Sequence, residues 1–174
     1  YGSFFRVICE YLRLSDIFGF AKMIRSPQYS EAFVWRGNDF SKMFSPMLWD
    51  SVLVLWPHLI CQEQMAACLI QSLQPDVTVL YSFEFLAGKA WLTGIKEATQ
   101  KTVAALQHGP MTELKLTYAG IPEEGLPTEG GGAPRPEADV YIVDGALSKE
   151  LLMKSGVAGQ KVKISGGARF DGAW

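Results

Sequence analysis

The sequence has few of the residues from which covalent frameworks and metal centres are built. Its 174 residues include three cysteines and two histidines. Cys9, Cys61 and Cys68 are odd in number and each lies in an apolar helical pattern, so we expect free, buried thiols in a reducing compartment rather than disulfides. With only His58 and His108 beside them, there is no closed set of zinc ligands.

The chain also lacks a charge of dominant sign and a long apolar run. Sixteen Lys and Arg face eighteen Asp and Glu, which gives a net charge of −2. No basic field is present to hold a nucleic-acid backbone, so nucleic acid is not an expected partner. The longest apolar stretch, 52–60, contains Pro57 and falls short of the roughly 20 residues of a membrane-spanning helix. Apolar residues still make up 48% of the chain, which is typical of a globular protein.

Several well-defined catalytic motifs are absent as well. There is no GxSxG, so the nucleophile elbow of an α/β-hydrolase is excluded. Neither GxGxxG nor GxxxxGK[ST] occurs, which leaves classical dinucleotide and NTPase sites without support.

The first part of the chain reads as mainly helical. The apolar spacing predicts helices over 4–14 and 16–25, a short strand or extended segment over 31–36, and a helical stretch from Pro46 to Leu73 interrupted at Pro57. We therefore treat 1–74 as a mainly helical N-terminal part of the domain.

Residues 75–174 predict a Rossmann-like region in which strands alternate with helices or long connections. The predicted strands are 77–83, 102–107, 140–145 and 162–166, and the predicted helices are 84–98 and 146–155. The strands are apolar almost throughout, a pattern typical of a parallel sheet buried on both faces. The expected fold class is α/β, a three-layer Rossmann-like parallel sheet with additional N-terminal helices.

A glycine- and proline-rich acidic segment, 120–138, interrupts this alternation. It has too little apolar surface to offset the entropy of ordering, so we expect a surface loop. A loop of this length is either an active-site lid or a solvated insertion.

Polar or small residues follow each predicted strand, where ligands bind in open parallel sheets. The residues that this topology gathers at one edge are Glu84, Gln107, His108, Gly109, Asp144, Gly166, Gly167, Arg169 and Asp171. Glu84 is either a helix cap or a general base, because a carboxylate suits both places. His108 fits acid–base work or a phosphate contact, and the following Gly109 admits a ligand close to the backbone. Asp144 fits a helix cap better than a binding residue.

From residue 75 onward these motifs resemble those of a known family. The run AALQHGPM, then PEADVYIVDGALSKELLMKSGVAGQKVKISGGARFD, is similar to the end of the N-terminal domain of GT-B glycosyltransferases from bacterial surface-polysaccharide biosynthesis. It is more distantly similar to non-hydrolysing UDP-GlcNAc 2-epimerases. Upstream, VLYSFEFLAGKAW resembles the family's strand that ends in Glu, although Gly88-Lys89 replace the Trp-Glu that the family pattern has there.

The resemblance implies a two-domain enzyme of which this chain is the acceptor-side half. It implies His108 or Glu84 as the catalytic base, and Gln107, Gly109, Asp144, Gly166, Gly167 and Arg169 as substrate-binding residues, the last three near the hinge or the donor phosphates. No cofactor or metal is implied, since no DxD motif occurs and the nucleotide-sugar is a substrate.

The same resemblance sets the expected partners and location. The partners would be a UDP-, GDP- or CMP-sugar donor, a carbohydrate acceptor of lipopolysaccharide O-antigen or capsule, and a C-terminal GT-B domain beyond Trp174, so that this chain alone would be inactive. The location would be cytoplasmic, with peripheral association with the inner face of the plasma membrane left open. Two alternatives remain: an epimerase of the same fold, and a non-catalytic partner-binding domain whose 120–138 loop is the contact element.

Overall fold

A computed structural model describes residues 14–114 and 136–166. The chain divides into two compact units, residues 1–61 and 62–174. Several predicted features lie outside the described residues: the 4–14 helix up to residue 13, Cys9, most of the 120–138 loop, Gly167, Arg169 and Asp171.

In the first unit, the helix predicted over 16–25 is confirmed as α1, Leu14–Ile24. The next helix, α2, spans Pro27–Ala32; the Ser26 hydroxyl caps it by accepting a hydrogen bond from Tyr29 N at 3.2 Å. The prediction of a short strand or extended segment over 31–36 is therefore wrong at its start, because residues 31 and 32 belong to α2. Only β1, Val34–Trp35, is extended, and it pairs antiparallel with β2, Asn38–Asp39.

Tyr29 organises the short core of this unit. Its hydroxyl donates to the Ser41 carbonyl at 3.2 Å, and the Ser45 hydroxyl lies 3.2 Å from the Tyr29 hydroxyl oxygen. Tyr29 also packs against Phe33, which in turn packs against Phe44, with tilted rings whose centroids are 4.8 and 5.0 Å apart. This aromatic series joins α2 to the helix that follows β2.

The helix predicted from Pro46 begins earlier and is interrupted earlier than expected. Helix α3 spans Ser41–Asp50 and contains Pro46, a π-helical segment covers Ser51–Leu55, and α4 spans Trp56–Leu73. Pro57 has no N–H to donate and its ring would crowd a carbonyl four residues back in a regular helix. The wider π-helical turn directly before it, closed by Trp56 N–H donating to the Ser51 carbonyl, relieves that crowding.

This helical stretch also changes the membrane argument. Among the described residues, Ser41–Leu73 is the one helix that is long and apolar enough to cross a bilayer, with a mean hydropathy of 1.3 over an 18-residue window. The sequence prediction considered only the apolar run at 52–60, whereas the folded helix extends well beyond that run on both sides. Length and composition alone do not separate a membrane helix from the core helix of a soluble protein.

In the second unit, the predicted strands and helices are confirmed with bounds shifted by a few residues. The elements are β3 Val77–Tyr81, α5 Leu86–Ala98, β4 Thr102–Leu106, β5 Val140–Val143, α6 Ala146–Lys154, a 3₁₀ turn Gly159–Lys161 and β6 Val162–Ile164. The four strands form one parallel sheet in the order β3-β4-β5-β6. The unit is thus an α/β fold with a parallel sheet flanked by helices, compatible with a Rossmann-like fold.

One face of this sheet carries the core. Because the strand order advances in one direction and βαβ crossovers are right-handed, α5 and α6 lie on the same face. The buried strand residues on that face are Val103, Ala105, Tyr141, Val143 and Val162, packed with Leu92, Ile95, Leu151 and Leu152 of the helices. The prediction that strands are buried on both faces is wrong for β3, where Val77, Val79 and Tyr81 are each more than half exposed.

Helices α4 and α5 pack with direct backbone contact. A Cβ atom at Gly94 would collide with the Glu63 carbonyl oxygen and would lie 3.2 Å from the Ala66 Cβ. Glycine at 94 therefore brings the two helices close enough for Ala66 and Ile70 to join the core. Cys68 of α4, predicted to be buried, is exposed, because this part of the helix turns Ala66 and Ile70 inward, whereas Cys61 is half-buried.

Asp139 holds the start of β5 to β4. Its Oδ2 accepts from Val103 N at 2.8 Å, and its carboxylate accepts from Lys96 Nζ at 2.9 Å. Burial raises the pKa of Asp139, but the hydrogen bonds from Lys96 and Val103 and the charges of Lys96 and Lys161 outweigh it, so the pKa lies below 3.8. A depressed carboxyl pKa stabilises the fold above pH 3.8, and this stabilisation disappears as the pH falls through the folded-state pKa.

We expect Asp139→Ala to lower the free energy of unfolding at pH 7 by about 1 kcal/mol, since a backbone partner and a half-exposed ion pair are lost. The difference from wild type should shrink as the pH falls below 3.8. Urea unfolding at several pH values measures both effects. Asp76→Ala is the matched control, because the Asp76 side chain is 97% exposed in its ion pair with Lys101. Equal losses in the two variants would contradict this role for Asp139.

Candidate functional site

The turn after β3 positions a buried carboxylate. Ser82 follows the strand directly with φ +62, in the left-handed region, and its carbonyl accepts from Phe85 N at 3.3 Å. Within this turn Phe83 enters the core, edge-to-face with Tyr141 at 5.3 Å, and Glu84 is buried beside it. Phe85 is the N-cap residue of α5, so Glu84 is not the helix cap that was one of the two predictions for it.

Gly88 permits this turn to lie against the first turn of α5. A Cβ at position 88 would collide with the Ser82 carbonyl oxygen and would come within 2.8 Å of Phe83 Cα. Both obstacles are backbone atoms, which cannot rotate aside as a flexible side chain would. Glycine at position 88 thus lets α5 pack directly on the turn that carries Glu84.

Glu84 and His108 form a hydrogen-bonded pair across the ends of β3 and β4. Glu84 Oε1 lies 2.9 Å from His108 Nδ1; the carboxylate side chain is fully buried, and the imidazole is 35% exposed. If the Glu84 carboxylate is ionised it only accepts hydrogen bonds, and this contact then selects the tautomer with the proton on Nδ1 and the lone pair on Nε2. This is the arrangement in which a carboxylate orients an imidazole as a general base.

Two aromatic rings border the imidazole. The Tyr81 and Phe85 ring centroids lie 5.1 and 5.6 Å from that of His108, both edge-to-face. The Tyr81 hydroxyl donates to the His108 carbonyl at 3.2 Å. His108 is thus held by a carboxylate at one ring nitrogen, by aromatic contacts at the ring and by a hydrogen bond to its backbone carbonyl.

Gln107 fastens the end of β4 to the end of β5. Its Oε1 accepts from Asp144 N at 2.9 Å, its Nε2 donates to the Gly109 carbonyl at 2.7 Å, and its backbone N–H donates to the Ile142 carbonyl at 2.9 Å. Both ends of the side-chain amide are thus engaged within the protein. These three hydrogen bonds hold the backbone on either side of His108 in place.

Asp144 and Gly166 follow the remaining two strands. Asp144 Oδ1 accepts from the Ser148 hydroxyl at 2.6 Å, in the first turns of α6, whose N-cap residue is Gly145. Gly166 follows β6 with φ +80, a conformation that favours glycine. Since β6 lies three strand spacings from β3, about 14 Å, Gly166 is remote from Glu84.

The structure therefore brings part of the predicted set together. Glu84 contacts His108, and Gln107 joins Gly109 and Asp144 to the same end of the sheet. Gly166 is separate, and Gly167 and Arg169 lie outside the described residues, so the substrate-binding roles of all these residues remain predictions. Within residues 14–114 and 136–166, no group of three or more His, Cys, Asp and Glu is arranged to hold a metal ion.

Sequence reasoning did not find the aromatic contacts or the function of Gly88. Alternation along VTVLY places Tyr81 on the same side of β3 as Val77 and Val79 and at the end nearest His108. The sequence pattern could therefore have indicated a contact between Tyr81 and His108. The contact between Gly88 and Ser82 had no such signal, because it depends on how closely α5 approaches the turn.

Comparisons with known proteins add no relative to this description. The chain matches no family model, no curated protein and no solved structure.

Proposed function

We propose that this chain is the acceptor-side domain of a GT-B glycosyltransferase of bacterial surface-polysaccharide biosynthesis, which uses a nucleotide-sugar donor. The observation that carries the proposal is the Glu84–His108 pair at the carboxyl ends of parallel strands, where α/β folds bind ligands. The order of motifs from 75 to 171 supports the same family. In this proposal the protein acts in the cytoplasm, together with a C-terminal domain that holds the donor.

In the reaction, His108 Nε2 takes the proton of an acceptor hydroxyl as that oxygen attacks the anomeric carbon of the donor. The carbon–oxygen bond to the nucleotide phosphate breaks, and the nucleotide leaves with the bonding electron pair. Glu84 stabilises the imidazolium that forms, because its carboxylate accepts from Nδ1 at 2.9 Å. Burial of the carboxylate strengthens this interaction, since water does not compete for it.

The proposal is tested on the protein carrying this domain by following nucleotide release from UDP-, GDP- and CMP-sugars. We expect release with one donor class only when a carbohydrate acceptor is added. Interconversion of a UDP-sugar without an acceptor would identify an epimerase instead. The absence of both reactions across the donor and acceptor panel, with the protein folded, would support a partner-binding domain and contradict the proposal.

A further inference from the structure

Strand β3 forms one edge of the parallel sheet. Its inner side pairs with β4 along all five residues, and no strand among residues 14–114 and 136–166 pairs with its outer side. Proteins usually protect such an edge from pairing with another strand by a charged residue, a proline or a bulge. The sequence VTVLY contains no charged residue and no proline, and its register with β4 runs without a bulge. The edge is therefore open to a further strand.

The exposure of the sheet increases towards this edge. Val79 and Ala104 are register partners and lie on the same face, yet Val79 is 61% exposed and Ala104 is 7% exposed. Val77 and Tyr81, on the same side of β3 as Val79, are each 56% exposed. This face is therefore covered at β4 and open at β3. A strand placed beside β3 would pair its outer backbone groups and shield these three side chains from one side.

We infer that the outer edge of β3 is a dimerisation surface, at which the β3 strands of two copies of this chain pair antiparallel. The inference does not depend on the proposed function. A dimer with two-fold symmetry brings the same surface of each copy together, and two identical strands related by that axis run antiparallel. The two four-stranded sheets would then form one continuous sheet.

A two-fold axis through Val79 makes β3 complementary to itself. Tyr81 of each copy then lies opposite Val77 of the other, and the two Val79 side chains lie opposite each other. Aromatic and β-branched side chains paired in this way stabilise antiparallel strands. The residue opposite Asp76 is a serine, and Lys101 Nζ already binds the Asp76 carboxylate at 2.8 Å. This register therefore places no like charges directly opposite each other.

The length of the contact sets the expected affinity. Stable interfaces of standard size involve about 20–30 residues a side, whereas this one centres on a strand of five residues. We therefore expect a reversible dimer with a dissociation constant between about 10 µM and 1 mM.

Sedimentation velocity of this chain from about 5 µM to 1 mM covers that range. We expect a dimer whose fraction rises with concentration. Val79→Lys should lower the association constant at least about tenfold, because like charges then face each other at the two-fold axis. Ile164→Lys is the matched control and should dimerise as wild type, since Ile164 is 52% exposed on β6, the other edge strand. A chain that stays monomeric over this range, or a dimer equally stable in Val79→Lys, would overturn the inference.

A mixture of Val79→Lys with Val79→Glu tests the register. Each variant alone opposes like charges, whereas the mixed pair opposes unlike charges, so the mixture should associate at least about tenfold more strongly than either variant. No gain on mixing would contradict an axis at Val79.

Hydrogen exchange of the wild-type protein tests the same edge without a substitution. The β3 amides that face away from β4 should exchange at least about twofold more slowly at 1 mM than at 5 µM, because pairing protects them in the dimer. Equal rates at the two concentrations would overturn the inference and leave the edge to a different partner.

Discussion

His108→Ala should lower kcat for acceptor-dependent transfer by about 10²–10⁴-fold, because a positioned general base contributes that much. The measurement is steady-state release of nucleotide at saturating donor and varied acceptor. Glu84→Gln should also lower kcat, because the amide can donate to Nδ1 and so favour the tautomer with the proton on Nε2.

The other histidine of the chain provides the control. His58 lies exposed on α4, and His58→Ala should leave kcat unchanged. The double variant Glu84→Gln/His108→Ala should be no slower than His108→Ala, since the carboxylate acts through the imidazole. Additive losses, or a kcat for His108→Ala within threefold of wild type, would contradict a base at His108.

Gly88→Ala should destabilise the protein by about 1–3 kcal/mol, because the new methyl group meets the backbone of Ser82 and Phe83. The turn has to move away from α5, and Glu84 moves with it. We therefore expect a lower midpoint in urea unfolding and, in the folded protein, a changed imidazole signal of His108.

Gly145→Ala is the matched control for this change. Gly145 belongs to the same unit, has an extended φ of −166, and a Cβ there would meet no atom within 4 Å. Its cost should stay below about 1 kcal/mol, the value of an N-cap position. Equal unfolding midpoints for Gly88→Ala and Gly145→Ala would show that α5 does not press on the turn as described.

The sheet could be predicted because its signals are local. Continuous apolar runs such as VTVLY and VYIV, each followed by a helix former or a polar turn, indicate parallel strands whatever surrounds them. The break predicted at Pro57 lies before it, in the π-helical segment Ser51–Leu55, because proline constrains the turn before it as well as its own position. The exposure of one side of β3 was not predicted, because apolar composition does not say which elements cover a face of the sheet.

For the candidate site, the predicted topology indicates which residues lie at the same edge of the sheet, but not which hydrogen bonds they form. Counting from strand ends placed Glu84 and His108 at one edge, and the structure joins them at 2.9 Å. The same counting could not tell that the amide of Gln107 is engaged at both ends, because hydrogen-bond partners depend on side-chain rotamers. Nor could it tell that Asp144 bonds to Ser148 rather than pointing to the pair.

The central claim is that Glu84 holds His108 with its proton on Nδ1, leaving Nε2 as the base. A long-range ¹H–¹⁵N spectrum of the imidazoles tests this directly, and with two histidines in the chain, His108→Gln assigns the signals. For neutral His108 we predict a protonated Nδ1 and an unprotonated Nε2, and loss of this preference in Glu84→Gln. A neutral His108 with its proton on Nε2 in the wild-type protein would contradict the account.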